Sequence, residues 1–213
     1  MYRIAIVAHI SRLGLADKLA DKVGANTVMV DDGTLGCNAN HRRAWERLAE
    51  GDSEWSLCME DDALPVGGFN EQLEQVLAVA PSPVVSLYLG RLRPPHWQHR
   101  IRNTLANTDA HWLTAPALLH AVAVCIRTEI LPLMLHGSPT HKPMDAHKPI
   151  DEAIGTYARR NGIKVAYCNP SLVDHADQGT LIAHPDRQPR KPGRVAWRVG
   201  TRDMWTSSTA AIR

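Results

Sequence analysis

The residues best suited to do chemistry form an acidic cluster in the segment SLCMEDDALP, residues 56–65. Glu60, Asp61 and Asp62 directly follow an apolar run that is typical of a buried strand. Side chains alternate across a strand, so Glu60 and Asp62 should share one face. Neighbouring carboxylates repel one another unless a cation neutralises them, and Mg²⁺ or Mn²⁺ binds such oxygens together with phosphate oxygens. The cluster therefore indicates a metal site for a nucleoside diphosphate, with solvated acids at a strand end as the alternative.

Hydrophobic periodicity predicts the elements that must position this cluster. Short apolar runs predict strands at residues 3–9, 27–30, 54–59, 83–90, 119–126 and 163–169. Apolar residues at helical spacing predict helices within residues 11–24, 38–50, 69–81, 128–137 and 149–162. Residues 91–112 are predicted to form an exposed basic loop that contains Trp97 and Trp112. The alternation of strands and helices predicts an α/β fold, in which a mainly parallel mixed sheet carries the acids at its carboxyl edge.

Length and charge set limits on the function. The chain has 213 residues, which suits one domain, and 24 Lys and Arg against 22 Asp and Glu give a net charge of +2. This near balance predicts no strong overall field for nucleic acid or a membrane. No apolar run approaches a membrane span or a signal peptide. The four cysteines are widely spaced without a C-x-x-C pair, which predicts a reducing cytoplasm and no structural zinc.

Two ordered blocks resemble the family 25 glycosyltransferases, the group of lipopolysaccharide and collagen galactosyltransferases. The first block, residues 35–65, has a Gly-Cys pair, a helical His and Trp, and a strand that ends in Glu-Asp-Asp. Its matching positions are Gly36, Cys37, His41, Trp45, Glu60, Asp61 and Asp62. The second block, residues 149–177, opens a helix with Pro-x-Asp and carries Leu-Val-x-His after a strand. The chain is short for this group, which would suit a phage-encoded member in a bacterial or phage-infected host cytoplasm.

The resemblance implies a GT-A-like single domain that transfers a sugar from a nucleotide-sugar, with UDP-sugars first among the donors, to an acceptor hydroxyl with inversion. It implies a Mn²⁺ or Mg²⁺ ion held by Asp62 and Glu60, because a cation stabilises the leaving diphosphate. His175, after the last predicted strand, would complete the metal shell or contact a phosphate, whereas capping a turn is the alternative. Asp174 and Asp177 beside it leave the same two alternatives open.

An inverting transfer also needs a carboxylate that deprotonates the acceptor hydroxyl. Asp151 matches the family's late acid and is the predicted base, with Glu152 as its substitute and a role at the helix N-terminus as the alternative. Donor contacts are expected from the ends of the first two strands and from the second helix: His9, Ser11, Arg12, Asp31, Asp32, Arg42 and Arg43. Turn formation by the two aspartates and solvation of the two helical arginines are the alternatives.

Two basic segments of the sequence suggest which kind of acceptor the protein uses. Residues 1–186 are predicted to form the nucleotide-sugar-binding catalytic domain, and residues 187–213 a basic tail. Basic residues surround Trp197 in this tail, and arginines flank Trp97 in residues 91–102, which suits a polyanion such as DNA with a modified base. A protein or glycan acceptor stays open, because these arginines can also serve the donor diphosphate. Two other functions also stay open: a metal-dependent phosphodiesterase or nuclease, and a nonenzymatic nucleotide-binding module associated with a virion.

Overall fold

The computed structural model describes residues 1–177 and 193–213, and this part of the chain contains ten strands and six α-helices. The strands are β1 (Tyr2–His9), β2 (Thr27–Asp31), β3 (Trp55–Glu60), β4 (Ala63–Pro65), β5 (Val84–Ser86), β6 (Trp112–Ala115), β7 (Ala123–Arg127), β8 (Val165–Cys168), β9 (Val173–His175) and β10 (Thr209–Ala211). The helices are α1 (Leu13–Val23), α2 (Cys37–Ala49), α3 (Phe69–Ala78), α4 (Pro95–Ala106), α5 (Leu131–His136) and α6 (Ile150–Arg160). Two 3₁₀-helical turns, Ile10–Arg12 and Thr128–Ile130, precede α1 and α5.

Eight strands form one mixed sheet in the order β10-β6-β8-β5-β7-β3-β1-β2, and β4 pairs with β9 in a separate two-stranded sheet. β1 lies parallel to β2 and β3, β5 to β8, and β6 to β10. β7 is antiparallel to β3 and β5, and β6 is antiparallel to β8. The prediction of a single α/β domain with a mixed, mainly parallel sheet is confirmed.

Hydrophobic layers cover both faces of the large sheet. Side chains of α2, α4, α5 and α6 pack on one face, whereas those of α1 and α3 pack on the other. Burial on both faces explains why β1, β3 and β7 are nearly continuous apolar runs in the sequence. No helix among the described residues is long and apolar enough to cross a membrane.

The prediction of an exposed loop over residues 91–112 is wrong. Most of this stretch forms α4, in which Trp97, Ile101 and Leu105 recur at helical spacing and are buried. A proline at the first helical position does not disturb the helix: it has no N–H, and an N–H at that position would have no intrahelical partner. Trp97 is 9% exposed and Trp112 is 0% exposed, so neither indole is available for stacking on a ligand. The arginines between the apolar positions concealed the helical pattern.

Residues 193–213 return to the main sheet. β10 pairs in parallel with β6, and the side chains of Trp205 and Ile212 are buried. The predicted boundary between residues 186 and 187 lies outside the described residues, so the division into a catalytic domain and a tail stays a prediction.

Candidate active site at the end of the third strand

The acidic cluster lies where β3 leaves the sheet. β3 runs between β1 and β7, so its buried apolar residues fix the strand and deliver Glu60 to the carboxyl edge. Asp61 and Asp62 then form a turn into β4. β4 pairs antiparallel with β9 so that Ala63 lies opposite His175. The amide of Ala176 also donates to the carbonyl of Asp62 at 2.9 Å, which holds the histidine beside the acids.

Three of the predicted metal ligands are brought together here. Glu60, Asp62 and His175 each offer one ligand atom, and these atoms lie within 4.8 Å of one another. Asp62 Oδ1 is buried and has no hydrogen-bond partner among the described residues. Burial and the neighbouring charge of Glu60 raise the pKa of Asp62. A carboxylate in this state is stabilised by a cation, so the residues present fit a divalent ion.

The orientation of His175 adds a condition to metal binding. Its Nδ1 accepts the amide N–H of Asp177 at 2.8 Å, which leaves the proton of a neutral ring on Nε2. Nε2 lies 3.4 Å from Asp62 Oδ2 and therefore presents that proton to the carboxylate. Binding a cation through Nε2 requires release of the hydrogen bond from Asp177. An imidazole ligand would favour Mn²⁺ over Mg²⁺, which prefers oxygen ligands.

The end of β1 closes one side of the cluster. Arg12 Nη1 lies 3.1 Å from Asp61 Oδ1 and 3.0 Å from Asp62 Oδ2. The amide of His9 donates to Asp61 Oδ2 at 3.2 Å, and His9 Nδ1 lies 2.8 Å from Ser11 Oγ. The residues predicted to contact the donor at this strand end thus border the acids. That they bind a donor stays a prediction.

A buried histidine on α2 contacts the carboxylate of Glu60. His41 Nε2 on α2 lies 3.5 Å from Glu60 Oε1, and its Nδ1 lies 3.6 Å from Cys58 Sγ. Burial alone would lower the pKa of His41, but its contacts with Cys58, Cys37 and Glu60 raise that pKa well above its ordinary value. Burial opposes the charge of Glu60, yet His41 lowers the pKa of Glu60 overall. The pair therefore holds Glu60 as an oriented carboxylate.

The predicted base begins α6. Asn38 Oδ1 accepts the amide of Ile150 at 3.1 Å, and Asp151 Oδ1 accepts the amide of Glu152 at 2.9 Å. Burial, together with the charges of Glu60 and Glu152, raises the pKa of Asp151 to about 6. The charge of Glu60 contributes to the raised pKa of Asp151, whereas the neighbouring Glu152 is exposed.

The other predicted donor contacts have local partners. Asp31 accepts the amides of Gly33, Leu35 and Gly36, and Asp32 accepts both the amide and the hydroxyl of Thr34. Both carboxylates therefore form the turn after β2. These hydrogen bonds outweigh the effect of burial on Asp31 and lower its pKa, and the Thr34 bonds lower that of Asp32. Arg42 donates to the carbonyl of Leu135 on α5, and Arg43 is exposed on α2.

Sequence reasoning missed two aromatic rings near the cluster. The rings of Tyr88 and His120 pack edge to face with centroids 5.0 Å apart, and Tyr88 lies 6.1 Å from His175. His120 Nε2 donates to the carbonyl of Arg93 at 2.9 Å. Burial lowers the pKa of His120 to about 4, so the ring is neutral. Tyr88 follows a strand close to its carboxyl end, which was the one signal in the sequence; the segment around His120 carried none.

Comparisons with known proteins bear on the fold. No protein-family model and no curated protein matches the sequence. A197 from STIV has a TM-score of 0.50 and 13% identity over 99% of this chain and 98% of that chain. The inositol-1-phosphate CTP transferase from T. maritima has a TM-score of 0.39 and 10% identity over 78% of this chain and 65% of that chain. A glycosyltransferase involved in the glycosylation of the major capsid of PBCV-1 has a TM-score of 0.32 and 14% identity over 62% of each chain.

These structural neighbours include a nucleotidyltransferase and a glycosyltransferase, both with TM-scores under 0.5. Among these three structures, A197 is covered almost fully together with this chain, and at 13% identity the likeness supports the fold alone. The specific resemblance to family 25 glycosyltransferases has no family match and stays a prediction.

Proposed function

We propose that the protein is a metal-dependent glycosyltransferase that moves a sugar from a nucleotide-sugar, in the first instance a UDP-sugar, to an acceptor hydroxyl with inversion. The proposal depends on one observation: ligand atoms of Glu60, Asp62 and His175 meet at the carboxyl end of β3. Glu60 and Asp62 would hold Mn²⁺ or Mg²⁺, and His175 would join them once its bond from Asp177 is released. The bound ion supplies Lewis-acid stabilisation of the leaving diphosphate.

Arg12 is the proposed phosphate contact. Its guanidinium contacts both Asp61 and Asp62 and offsets part of their negative charge. A donor diphosphate at the same edge would offer it phosphate oxygens, which a guanidinium binds with charge-assisted hydrogen bonds. His9 and Ser11 on the same turn would contact the nucleotide from the side of β1.

Asp151 is the proposed general base. With its pKa raised to about 6, the carboxylate is mostly ionised at neutral pH and takes up a proton more readily than an ordinary aspartate. Asp151 lies in the first turn of α6. Glu152 is the substitute base, although its side chain is exposed. The acceptor class is a protein, a glycan or a modified DNA base.

Nucleotide release from a panel of nucleotide-sugars tests the proposal. We expect hydrolysis or transfer with Mn²⁺ for at least one donor, loss of activity in EDTA, and loss in Asp62→Asn. Asp17→Asn, an exposed acid on α1, is the matched control and should keep full activity. If no nucleotide-sugar is turned over and none stabilises the fold with Mn²⁺, the proposal is wrong. Nicking of plasmid DNA by the wild type but not by Asp62→Asn would instead identify a nuclease.

A further inference from the structure

A second charged region lies outside the acidic cluster. Residues 75–108 and residues 187–202 contain no Asp or Glu. The chain brings described parts of both segments together, because Gly90 pairs with Ala196 in an antiparallel bridge. The amide of Arg91 donates to the carbonyl of Val195, and that of Trp197 donates to the carbonyl of Leu89, each at 2.9 Å. We call the resulting surface the arginine face and define it by Arg91, His99, Arg102, Trp197 and Arg198.

The cationic groups of this face are not neutralised by protein acids. Within the part of the chain that the structure describes, Arg91, Arg102 and Arg198 have no carboxylate partner. Arg91 donates to the carbonyl of Trp197 at 3.2 Å, and Arg198 donates to that of Leu105 at 2.6 Å. Bonds to neutral carbonyls orient a guanidinium without removing its charge. All three arginines are exposed, so an anion can reach them.

Trp197 gives the face an aromatic surface in a fixed orientation. Its indole N–H donates to Gln98 Oε1 at 3.0 Å, and the Arg91 guanidinium carbon lies 5.1 Å from the ring centroid. The ring is half-buried and, together with Gln98, His99 and Arg102, lines an open hollow of about 230 Å³. An indole held in this way loses little conformational freedom when a flat ligand packs on it.

We propose that the arginine face binds single-stranded nucleic acid, with phosphates on Arg91, Arg102 and Arg198 and one base packed in the hollow against Trp197. Cationic side chains beside an aromatic ring match the alternation of phosphates and bases along an unpaired strand. The bases of a duplex are stacked on one another and cannot enter such a hollow. Binding by this face does not depend on the proposed sugar transfer.

Fluorescence anisotropy with labelled oligothymidine over a range of NaCl concentrations tests the inference. For an unpaired strand, the log–log slope of affinity against salt is about −0.7 per phosphate neutralised, so three arginines predict a slope near −2. Arg102→Ala should weaken binding and make the slope shallower by about 0.7. Trp197→Ala should weaken binding by roughly 5- to 150-fold, the range for one stacked base, without changing the slope.

Two further variants keep this test independent of misfolding. Trp197→Phe keeps an aromatic face and should lose less affinity than Trp197→Ala. Arg160→Ala, an exposed arginine at the end of α6, should bind like the wild type. Nucleotide-sugar hydrolysis should be unchanged in Arg102→Ala and Trp197→Ala, so a failure here is distinct from a failure of the proposed function.

Three results would overturn the inference. One is the absence of oligothymidine binding at low salt. Another is binding of duplex DNA as tight as that of the single strand. The third is a combined result: heparin, a polyanion without bases, competes as well as unlabelled oligothymidine does, and Trp197→Ala keeps wild-type affinity. That result would indicate a face for acidic glycans.

Discussion

The acidic cluster and the arginine face manage charge in opposite ways. Asp61 and Asp62 are buried, and each carboxylate in the cluster lies beside Arg12, His41 or His175, although Asp62 Oδ1 has no hydrogen-bond partner among the described residues. The arginines of the face are exposed, and the hydrogen-bond partners of Arg91 and Arg198 are neutral carbonyls. Buried charges need fixed partners because desolvation is costly, whereas exposed charges interact with a mobile anion in proportion to their number. Changes in the cluster should therefore act nearly all-or-none, and changes in the face should act by increments.

The largest effect is expected at the centre of the cluster. Asp62→Asn should abolish Mn²⁺-dependent nucleotide binding, measured by isothermal titration calorimetry, because an amide replaces the central carboxylate ligand. The metal-free fold should keep its stability, since burial and Glu60 already oppose the charge of Asp62. Nucleotide affinity equal to that of the wild type would remove Asp62 from the proposed metal site and weaken the contrast between the two regions.

A change at the predicted base comes next in size. Asp151→Asn should lower transfer by about 10²- to 10⁴-fold, the usual range for loss of a general base, while donor affinity stays within a few-fold. Glu152→Gln is the matched control, because it removes the adjacent exposed carboxylate. Near-normal turnover in Asp151→Asn, with loss in Glu152→Gln, would transfer the role to Glu152.

A change in salt concentration should affect ligand binding at the arginine face much more than catalysis at the acidic cluster. Raising NaCl from about 50 to about 200 mM should weaken oligothymidine binding by roughly 20-fold, given a slope near −2. Nucleotide-sugar hydrolysis in the same buffers should change by less than about twofold, because closely spaced buried charges are poorly screened. Equal salt sensitivity of the two activities would show that the arginines act in the donor site instead of on a second ligand.

The smallest effect is expected from changes of pH above about 6. A general base must be ionised, so kcat/KM should fall as pH decreases through the pKa of Asp151 and stay level above it. That pKa is raised to about 6 in the free protein, and a bound cation lowers it, so the inflexion should lie no higher than about pH 6. Below the inflexion the rate should fall about tenfold per pH unit. Residual activity of Asp151→Asn should not show this inflexion, and an unchanged profile would contradict the assignment.

The parts of the fold that were predicted correctly have strong local patterns. The runs that became β1, β3 and β8 are apolar because both faces of the sheet are covered, and α6 has apolar residues at helical spacing. α4 was missed because its buried positions alternate with arginines. Its apolar residues pack in the core while its other side contributes to the arginine face. The many charged residues therefore suggested an exposed loop, although the apolar residues form a buried helical stripe.

The candidate site divides in the same way. Glu60 and Asp62 were found from sequence because they are adjacent in one segment, and His175 because its block follows a strand. Tyr88 and His120 come from segments that meet only through the pairing of β5 and β7 with their neighbours, which local spacing does not encode. Asp31 was predicted from its position at a strand end to contact the donor, but its carboxylate accepts backbone N–H groups of its own turn.

The pairing of β4 with β9 has a consequence for folding. Asp62 and His175 are more than half of the chain apart, so their approach closes a long loop and is a non-local contact. An ion that needs both residues has no complete site in the unfolded chain or in a partly folded one. Such an ion would stabilise the native state by about 2.7 kcal/mol at a concentration one hundred times its Kd. The cation would thus stabilise the folded state, in which β4 and β9 are paired, in addition to its proposed role in sugar transfer.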